Sequence, residues 1–463
     1  MDDLVTYLAI DIIVVMGVIL LMARRLSFWH PLTIYLVFHI YSFSYRAFVI
    51  YGGAPLLYFG QAGADMITIQ EINRAMLWAD VALILFALGG LLAHLRFESR
   101  IGRPVLRMQL NDKIVKCIAL PCLFVGLAFM YAAKTGVAVQ DDGEASAMAG
   151  YAQVFAMWPL GALGLLVFVL GFRWYLLLLI SILLGVVALQ GYHRFMLILP
   201  LMYFTAYFLM TRRRRWPNFP ILIGALLIAL IFPRLKYIGK AVQGGDTADA
   251  VALVSQSFDF SSKTSDAMVG VGEGFLDQYA GALTLIDENE RKLWGSPYLA
   301  IITLPVPRAW WPGKPGLADH LKEISTRGRD YAREGRIITY LGESYLNFGY
   351  AGLILVPTIA GYLLVLLCLH STTGPILRLS CYVYLVLYMA LIQTFRDGLA
   401  SLIVFSIVHN MPMLFTWVLH VLPGGSNKVL DRPLADSLRG DEKEVLMLGQ
   451  ARGHVGQRGR RPW

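Results

Sequence analysis

Residues 337–370, IITYLGESYLNFGYAGLILVPTIAGYLLVLLCLH, form an almost unbroken apolar run of 34 residues. At 1.5 Å per residue a single helix of that length would measure about 50 Å, against about 30 Å of hydrocarbon in a bilayer. The run therefore divides. Gly342 and Gly349 are its natural breaks, so the part after Gly349 crosses a membrane while Glu343, Tyr345 and Asn347 stay at the surface, on a separate short helix or a dipping loop.

Similar runs recur along the chain. Segments long enough to span fit at 4–22, 29–50, 75–95, 114–133, 151–172, 174–192, 195–211, 218–233, 350–370, 376–395 and 398–420, which makes eleven. The composition agrees: 57% of the 463 residues are hydrophobic and 15% charged, where a soluble domain has about 25% charged, and the mean hydropathy is +0.59. These values exclude a cytosolic enzyme, a disordered chain and a disulfide-stapled one. Continuous apolar stretches, as opposed to alternating ones, exclude a transmembrane barrel. The fold class expected is an all-α polytopic membrane protein.

A net charge of +9 would suggest nucleic acid in a soluble domain, but here the placement of the charges carries the information and no nucleic acid is expected. One set of short connections holds thirteen Lys and Arg: Arg24 and Arg25; Arg96, Arg100, Arg103, Arg107 and Lys113; Arg173; the four arginines at 212–215; and Arg378. The opposite set holds five: Arg46, Arg74, Lys134, Arg194 and Arg396. The asymmetry puts the amino terminus outside and the carboxyl terminus inside. The amino terminus lacks a basic region and a cleavage pattern, which favours a retained first span over a signal peptide. The four cysteines, Cys117, Cys122, Cys368 and Cys381, lie in apolar segments without metal-ligand spacing and read as small hydrophobes.

The chain thus divides into a bundle of about eight transmembrane helices at 1–233, a large outer loop at 234–349, about three further transmembrane helices at 350–422 and a basic cytoplasmic tail at 423–463. Within the loop, Phe275, Leu276, Tyr279, Leu283 and Ile286 recur at helical spacing and predict an amphipathic helix on the membrane or on the bundle. No internal repeat is evident, nor a pair of matching broken helices of the kind found in many transporters.

Several residues could carry chemistry. Arg194, on a tight connection within GYHRFMLIL, either snorkels to lipid phosphate or binds substrate. Arg396 and Asp397, in FRDGLASLIVF, form either a local ion pair that caps the next helix or part of a site. The loop supplies LPVPRAWWPGKP at 304–315, where prolines hold Arg308 and Lys314 while Trp310 and Trp311 suit the headgroup belt or the face of a sugar. His320, Arg327, Arg329 and Arg336 follow. Asp11, His39 and Asp80 lie inside spans; for Asp11, interhelical hydrogen bonding and a proton relay are the two readings. Asp141 and Asp142, in a short outer loop, are weak candidates for a divalent ion. Neither GxxxxGK[ST] nor HExxH occurs, and no cofactor or metal centre is expected.

Arginine clusters at an outer membrane face suit a ligand with an apolar tail and a diphosphate head, because Arg binds phosphate bidentately and keeps its charge. If the diphosphate leaves, Arg stabilises the developing charge, and a base for the incoming nucleophile remains to be supplied. Glu343, Asp397 and His320 are the candidates. Glu343 is preferred because its apolar surroundings should raise its pKa by desolvation, whereas Arg396 should lower that of Asp397.

GYHR at 191–194, PRAWWPGKP at 307–315, GESYLNFG at 342–349 and FRDGL at 395–399 together resemble the Wzy-type polysaccharide polymerases, which belong with the O-antigen ligases. The resemblance covers residues 191–405. It departs from the family pattern at His193, where relatives often carry a small or hydroxyl residue before the arginine. It implies a GT-C-like, inverting, metal-independent glycosyltransferase that polymerises undecaprenyl diphosphate-linked repeat units at the periplasmic face of the inner membrane. Arg194, Arg308 and Arg396 match the family's basic residues. Lys314, His320, Arg327, Arg329, Arg336, Tyr345, Trp310 and Trp311 are expected to bind substrate, and Glu343, Arg194, Arg396 and Asp397 to act in catalysis. The partners implied are lipid-linked oligosaccharides, with a chain-length regulator and a flippase of the same pathway. A ligase moving the glycan to a different acceptor and a transporter of lipid-linked sugars are the competing readings.

Overall fold

In the computed structural model the residues described are 2–54, 56–58, 61–62, 67–98, 110–134, 147–190, 195–231, 238, 241, 247–256, 274–289, 292–296, 298, 303, 306, 310–311, 313, 325–326, 329–330, 339–372, 379–408 and 410–421. A helix occupies each of the eleven expected segments. The first is α1 (Asp2–Met22), followed by α2 (Pro31–His39), which runs through a five-residue π turn (Ile40–Ser44) into α3 (Tyr45–Tyr51) as one interrupted span. Then come α4 (Ile69–Glu98), α5 (Asp112–Lys134), α6 (Ala147–Leu170), α7 (Trp174–Gln190), α8 (Phe195–Thr211) and α9 (Phe219–Ile231). The loop contributes α10 (Thr247–Gln256) and α11 (Phe275–Asn289), and α12 (Thr339–Phe348) leads back into α13 (Tyr350–Thr372). The last elements are α14 (Leu379–Asp397), α15 (Leu399–Ile403), a second π turn (Val404–Val408) and α16 (Met411–Val421). Two antiparallel ladders of two-residue strands, 57–58 with 61–62 and 325–326 with 329–330, complete the described elements.

This is an all-helical polytopic membrane protein: among the described residues six helices are long and apolar enough to cross a bilayer, and the pair from Ser401 to His420 would add a seventh as one span bent by 66°. Among the described residues one span is bent, near Val404–Val408, while the π segment at Ile40–Ser44 leaves Pro31–Tyr51 a continuous helical span. The π segment contains neither Gly nor Pro, so it leaves no punctuation in the sequence. The 337–370 run divides at Gly349, whose φ of +61° suits glycine, while Gly342 stays inside α12.

Packing follows from small residues and free carbonyls. A Cβ on Gly89 of α4 would fall 2.1 Å from Thr358 O on α13, and one on Gly361 of α13 would fall 2.1 Å from Phe86 O, so these two helices touch backbone to backbone. Tyr203 and Tyr207 of α8 and Tyr382 of α14 donate their hydroxyls to the carbonyls of Gly164, Phe168 and Gly161 of α6. In α1, buried Leu4, Asp11, Val15, Val18 and Met22 form one stripe, while Ile12, Ile13, Met16 and Leu20 face outward although they are as apolar as the core. Of the cysteines, Cys122, Cys368 and Cys381 are buried as expected and Cys117 is exposed.

Two ends are distinct. At one, Arg215 donates to Arg24 O at 2.8 Å, Phe28 N–H donates to Arg215 O, His30 meets His94, and Asn111 N–H donates to His420 Nε2 at 2.9 Å. Connections from the charge-rich set therefore gather together. At the other end α11 and α12 close over the bundle.

Candidate functional site

The loop helix α11 does more than lie on a surface. Phe275, Leu276, Tyr279, Leu283 and Ile286 are buried as their spacing predicts, but so are Asp277 and Gln278 on the other side, so the first half of the helix is inserted between neighbours. A buried carboxylate requires a partner, and Arg46 of α3 provides it: Nε donates to Asp277 Oδ2 at 2.7 Å and a terminal nitrogen donates to Oδ1 at 3.1 Å. Arg46 is 2% exposed and Asp277 0%. Further along, Thr284 donates to Glu71 Oε1 at 2.8 Å, and Glu71 also closes a capping box with Thr68 at the start of α4. Arg74 of α4 pairs with Asp287 at 2.5 Å and bonds Tyr350, whose ring also lies against the guanidinium.

Directly beside α11 sit three of the expected catalytic residues. Arg396 ends α14 with its guanidinium carbon 5.8 Å from the centroid of the Phe275 ring, and its Nε lies 3.6 Å from Asp397 Oδ1. Both are partly accessible, at 17% and 27%, and Gln393 bonds the second Asp397 oxygen. The next two residues make a pocket for Glu343. Gly398 adopts φ +98°, and a Cβ there would fall 2.4 Å from Glu343 Oε2; Leu399 N–H donates to the same oxygen at 2.6 Å. Glu343 thus reaches from α12 to cap α15, a structural role in its own right. Burial nevertheless pushes its carboxyl from an ordinary 4.5 up to about 7, although the Leu399 N–H pulls the other way. Tyr298 stands near enough that, after burial, the charge on Glu343 is the next cause raising its phenol.

Glu343, Arg396 and Asp397 are therefore brought together. Tyr345 is buried and engaged in tying elements together, donating to Asp287 and accepting from Arg74 at 3.3 Å. Trp310 and Trp311 are exposed, Trp310 by 81%, as either reading of them allows. Arg194, Arg308, Lys314, His320, Arg327, Arg336, Asp141, Asp142 and the tail at 423–463 lie outside the described residues, as does the side chain of Arg329.

An aromatic layer underlies the site: Phe38 contacts Phe275 and Phe395, and Tyr340, edge-on, and Tyr35, tilted, pack against Phe395. Below it, Tyr35 and Phe43 flank His39, which meets Asp11 and Asp80. An apolar pocket lined by Met157, Gly161, Tyr203, Val386, Met389 and Phe405 opens along α14. Its residue Met389 is two helical turns, about 10 Å, before Arg396.

In the sequence Arg46 and Arg74 read only as charges of the outer set, and neither Asp277 nor Asp287 stands out. The available signal is a cation one turn inside a span, which must either snorkel to the headgroups or find a partner. No family model, curated protein or solved structure matches the chain.

Proposed function

We propose that this chain is a membrane glycosyltransferase of the Wzy polymerase type, with eleven spans in a GT-C-like arrangement, an outward amino terminus and its active site at the periplasmic face of a bacterial inner membrane. The observation that carries the reading is Glu343: a buried carboxyl near pH 7, cradled by Gly398, beside the partly open Arg396–Asp397 pair. The apolar pocket on the same helix suits the lipid tail whose diphosphate would lie at Arg396.

In this reading a sugar hydroxyl of one lipid-linked repeat unit attacks the anomeric carbon of the growing chain. The new glycosidic C–O bond forms as the bond from that carbon to the diphosphate oxygen breaks, with inversion. The electron pair leaves with the undecaprenyl diphosphate, whose charge Arg396 stabilises together with Arg194 and Arg308. Glu343 accepts the hydroxyl proton. Asp397 orients Arg396.

The test is an assay of purified protein with lipid-linked repeat units. Ladders are expected; single transfers to another acceptor indicate a ligase. Glu343→Gln keeps the cap to Leu399 and removes basicity, so turnover should fall about 10²-fold to 10⁴-fold. A Gln variant as fast as the parent, with Asp397→Asn or His320→Ala folded but inactive, moves the base elsewhere. Outside labelling should reach a cysteine at Ala248 and miss one at Ser437; the reverse pattern overturns the orientation.

One observation favours a transporter of lipid-linked glycans: the polar cluster of Asp11, His39 and Asp80 inside the spans. Vesicles in which the protein moves lipid-linked glycan across the bilayer without lengthening it would select that reading.

A further inference from the structure

Asp11, His39 and Asp80 come from three helices, α1, α2 and α4, and meet at one point. His39 Nε2 lies 2.8 Å from Asp11 Oδ1 and 3.3 Å from Asp80 Oδ1, and one donor atom from each residue falls within 4.8 Å of the others. None is more than 2% exposed. Asp11 stands at the middle of the 21-residue α1, which places the cluster deep in the hydrocarbon.

Hydrogen bonding accounts for only part of it. A neutral His39 has a single Nε2 proton to give, and among the described residues neither Asp80 oxygen accepts a hydrogen bond; buried Ser42, in the adjoining π turn, also lacks a hydrogen-bond partner. Two carboxylates beside a neutral imidazole carry two negative charges, and Arg46, the cation on the same span as His39, is bound to Asp277. A site of that kind inside a membrane is neutralised either by protons on His39 and one aspartate or by a bound cation, and the unused lone pairs of Asp80 favour the second of these.

We propose that Asp11, His39 and Asp80 bind one divalent transition-metal ion of zinc type, through His39 Nε2 and one oxygen of each aspartate. The donor set selects the class. Calcium and magnesium want six or more oxygens, whereas an imidazole nitrogen with two carboxylates suits zinc or, next, manganese. Bonds of about 2.0–2.1 Å in a tetrahedron set neighbouring donors about 3.3 Å apart. The His39–Asp80 separation already meets that, and Asp11 has to withdraw by about 0.5 Å. Binding releases the Nε2 proton to solvent while His39 keeps one proton on Nδ1, and the ion cancels the charge of both carboxylates. The π turn beginning next to His39 is of a kind found frequently at functional sites. The ion clamps α1, α2 and α4 beneath the aromatic layer and takes no part in glycosyl transfer, so this inference stands apart from the reading above. It departs from the sequence expectation of no metal, which searched for local spacing that three separate spans do not have.

The test uses untagged full-length protein in detergent, prepared from zinc-supplemented medium, with metal content and thermal midpoint measured before chelation, after it, and after adding back Zn²⁺ or Mn²⁺. About one equivalent is expected, with a midpoint that falls on chelation and recovers on addition. Asp80→Asn and Asp11→Asn should bind at least about tenfold more weakly, and His30→Gln should bind normally. Less than about a tenth of an equivalent with no thermal response to either ion overturns the proposal. So does uptake unchanged in both aspartate variants, or uptake lost in His30→Gln, which would assign the metal to the His30–His94 pair. If the aspartate variants fail to fold, chelation and re-addition on the parent protein still decide.

Discussion

At one end of the bundle Arg46 is buried and held by two hydrogen bonds to Asp277; at the other Arg215 is exposed and donates to the carbonyl of Arg24. Both arginines lie beside the hydrocarbon, yet the first fixes the position of an inserted helix and the second rests in the surface layer. The difference comes from dielectric. A desolvated guanidinium must be matched by a specific counter-charge, whereas a hydrated one is satisfied by water, lipid headgroups and any nearby carbonyl. The end with matched charges is also the end that carries Glu343 and the Arg396–Asp397 pair, and fixed geometry of this kind is what the proposed chemistry would need.

The comparison breaks most sharply at Arg46. Arg46→Ala strands the Asp277 charge and should cost about 3–5 kcal/mol, read as a large fall in thermal midpoint and early proteolysis around α11. Replacing the two together, Arg46→Met with Asp277→Leu, should recover most of that loss. An Arg46→Ala protein as stable as the parent would mean that α11 is not held by this pair.

A smaller effect of definite sign comes from Glu343. Its carboxyl is raised from 4.5 to about 7 in the folded chain, so between those values the folded state holds a proton that the unfolded state has released. Stability should therefore decline as pH rises through this window, while activity should climb as the carboxylate ionises near 7. Thermal midpoints at pH 5 and pH 8 should differ less in Glu343→Gln than in the parent. Equal differences would remove Glu343 as the titrating group. Smallest of all, Arg215→Ala should shift stability by no more than about 0.5 kcal/mol, since the backbone bond from Phe28 to Arg215 O survives. A loss comparable to that of Arg46→Ala would erase the distinction between the ends.

Much of this arrangement is legible from local sequence. The helical segments follow from the length of apolar runs, and the gathering of the charge-rich connections at one end follows from counting Lys and Arg. The raised carboxyl of Glu343 was expected from apolar neighbours on its own helix, and burial is its cause. The 275–286 periodicity located a helix but assigned Asp277 no role, because a one-face pattern cannot describe a helix enclosed on both sides. Gly342 and Gly349 looked alike as breaks; the turn fell where the backbone takes φ +61°.

The sequence by itself determined that the chain is a helical membrane protein, where its helices lie, and which residues carry charge near the membrane. Tertiary structure alone decided which of them meet: Arg46 with Asp277 across 231 positions, Glu343 with Leu399, and Asp11 and Asp80 with His39. The reason is physical. In water the polar face of a helix announces which side turns inward, but lipid is as apolar as a protein core, so Ile12 facing lipid and Val15 facing protein look the same in the sequence. Facing is then set by close backbone contact, as at Gly89 and Gly361, and by the few polar groups that must find one another.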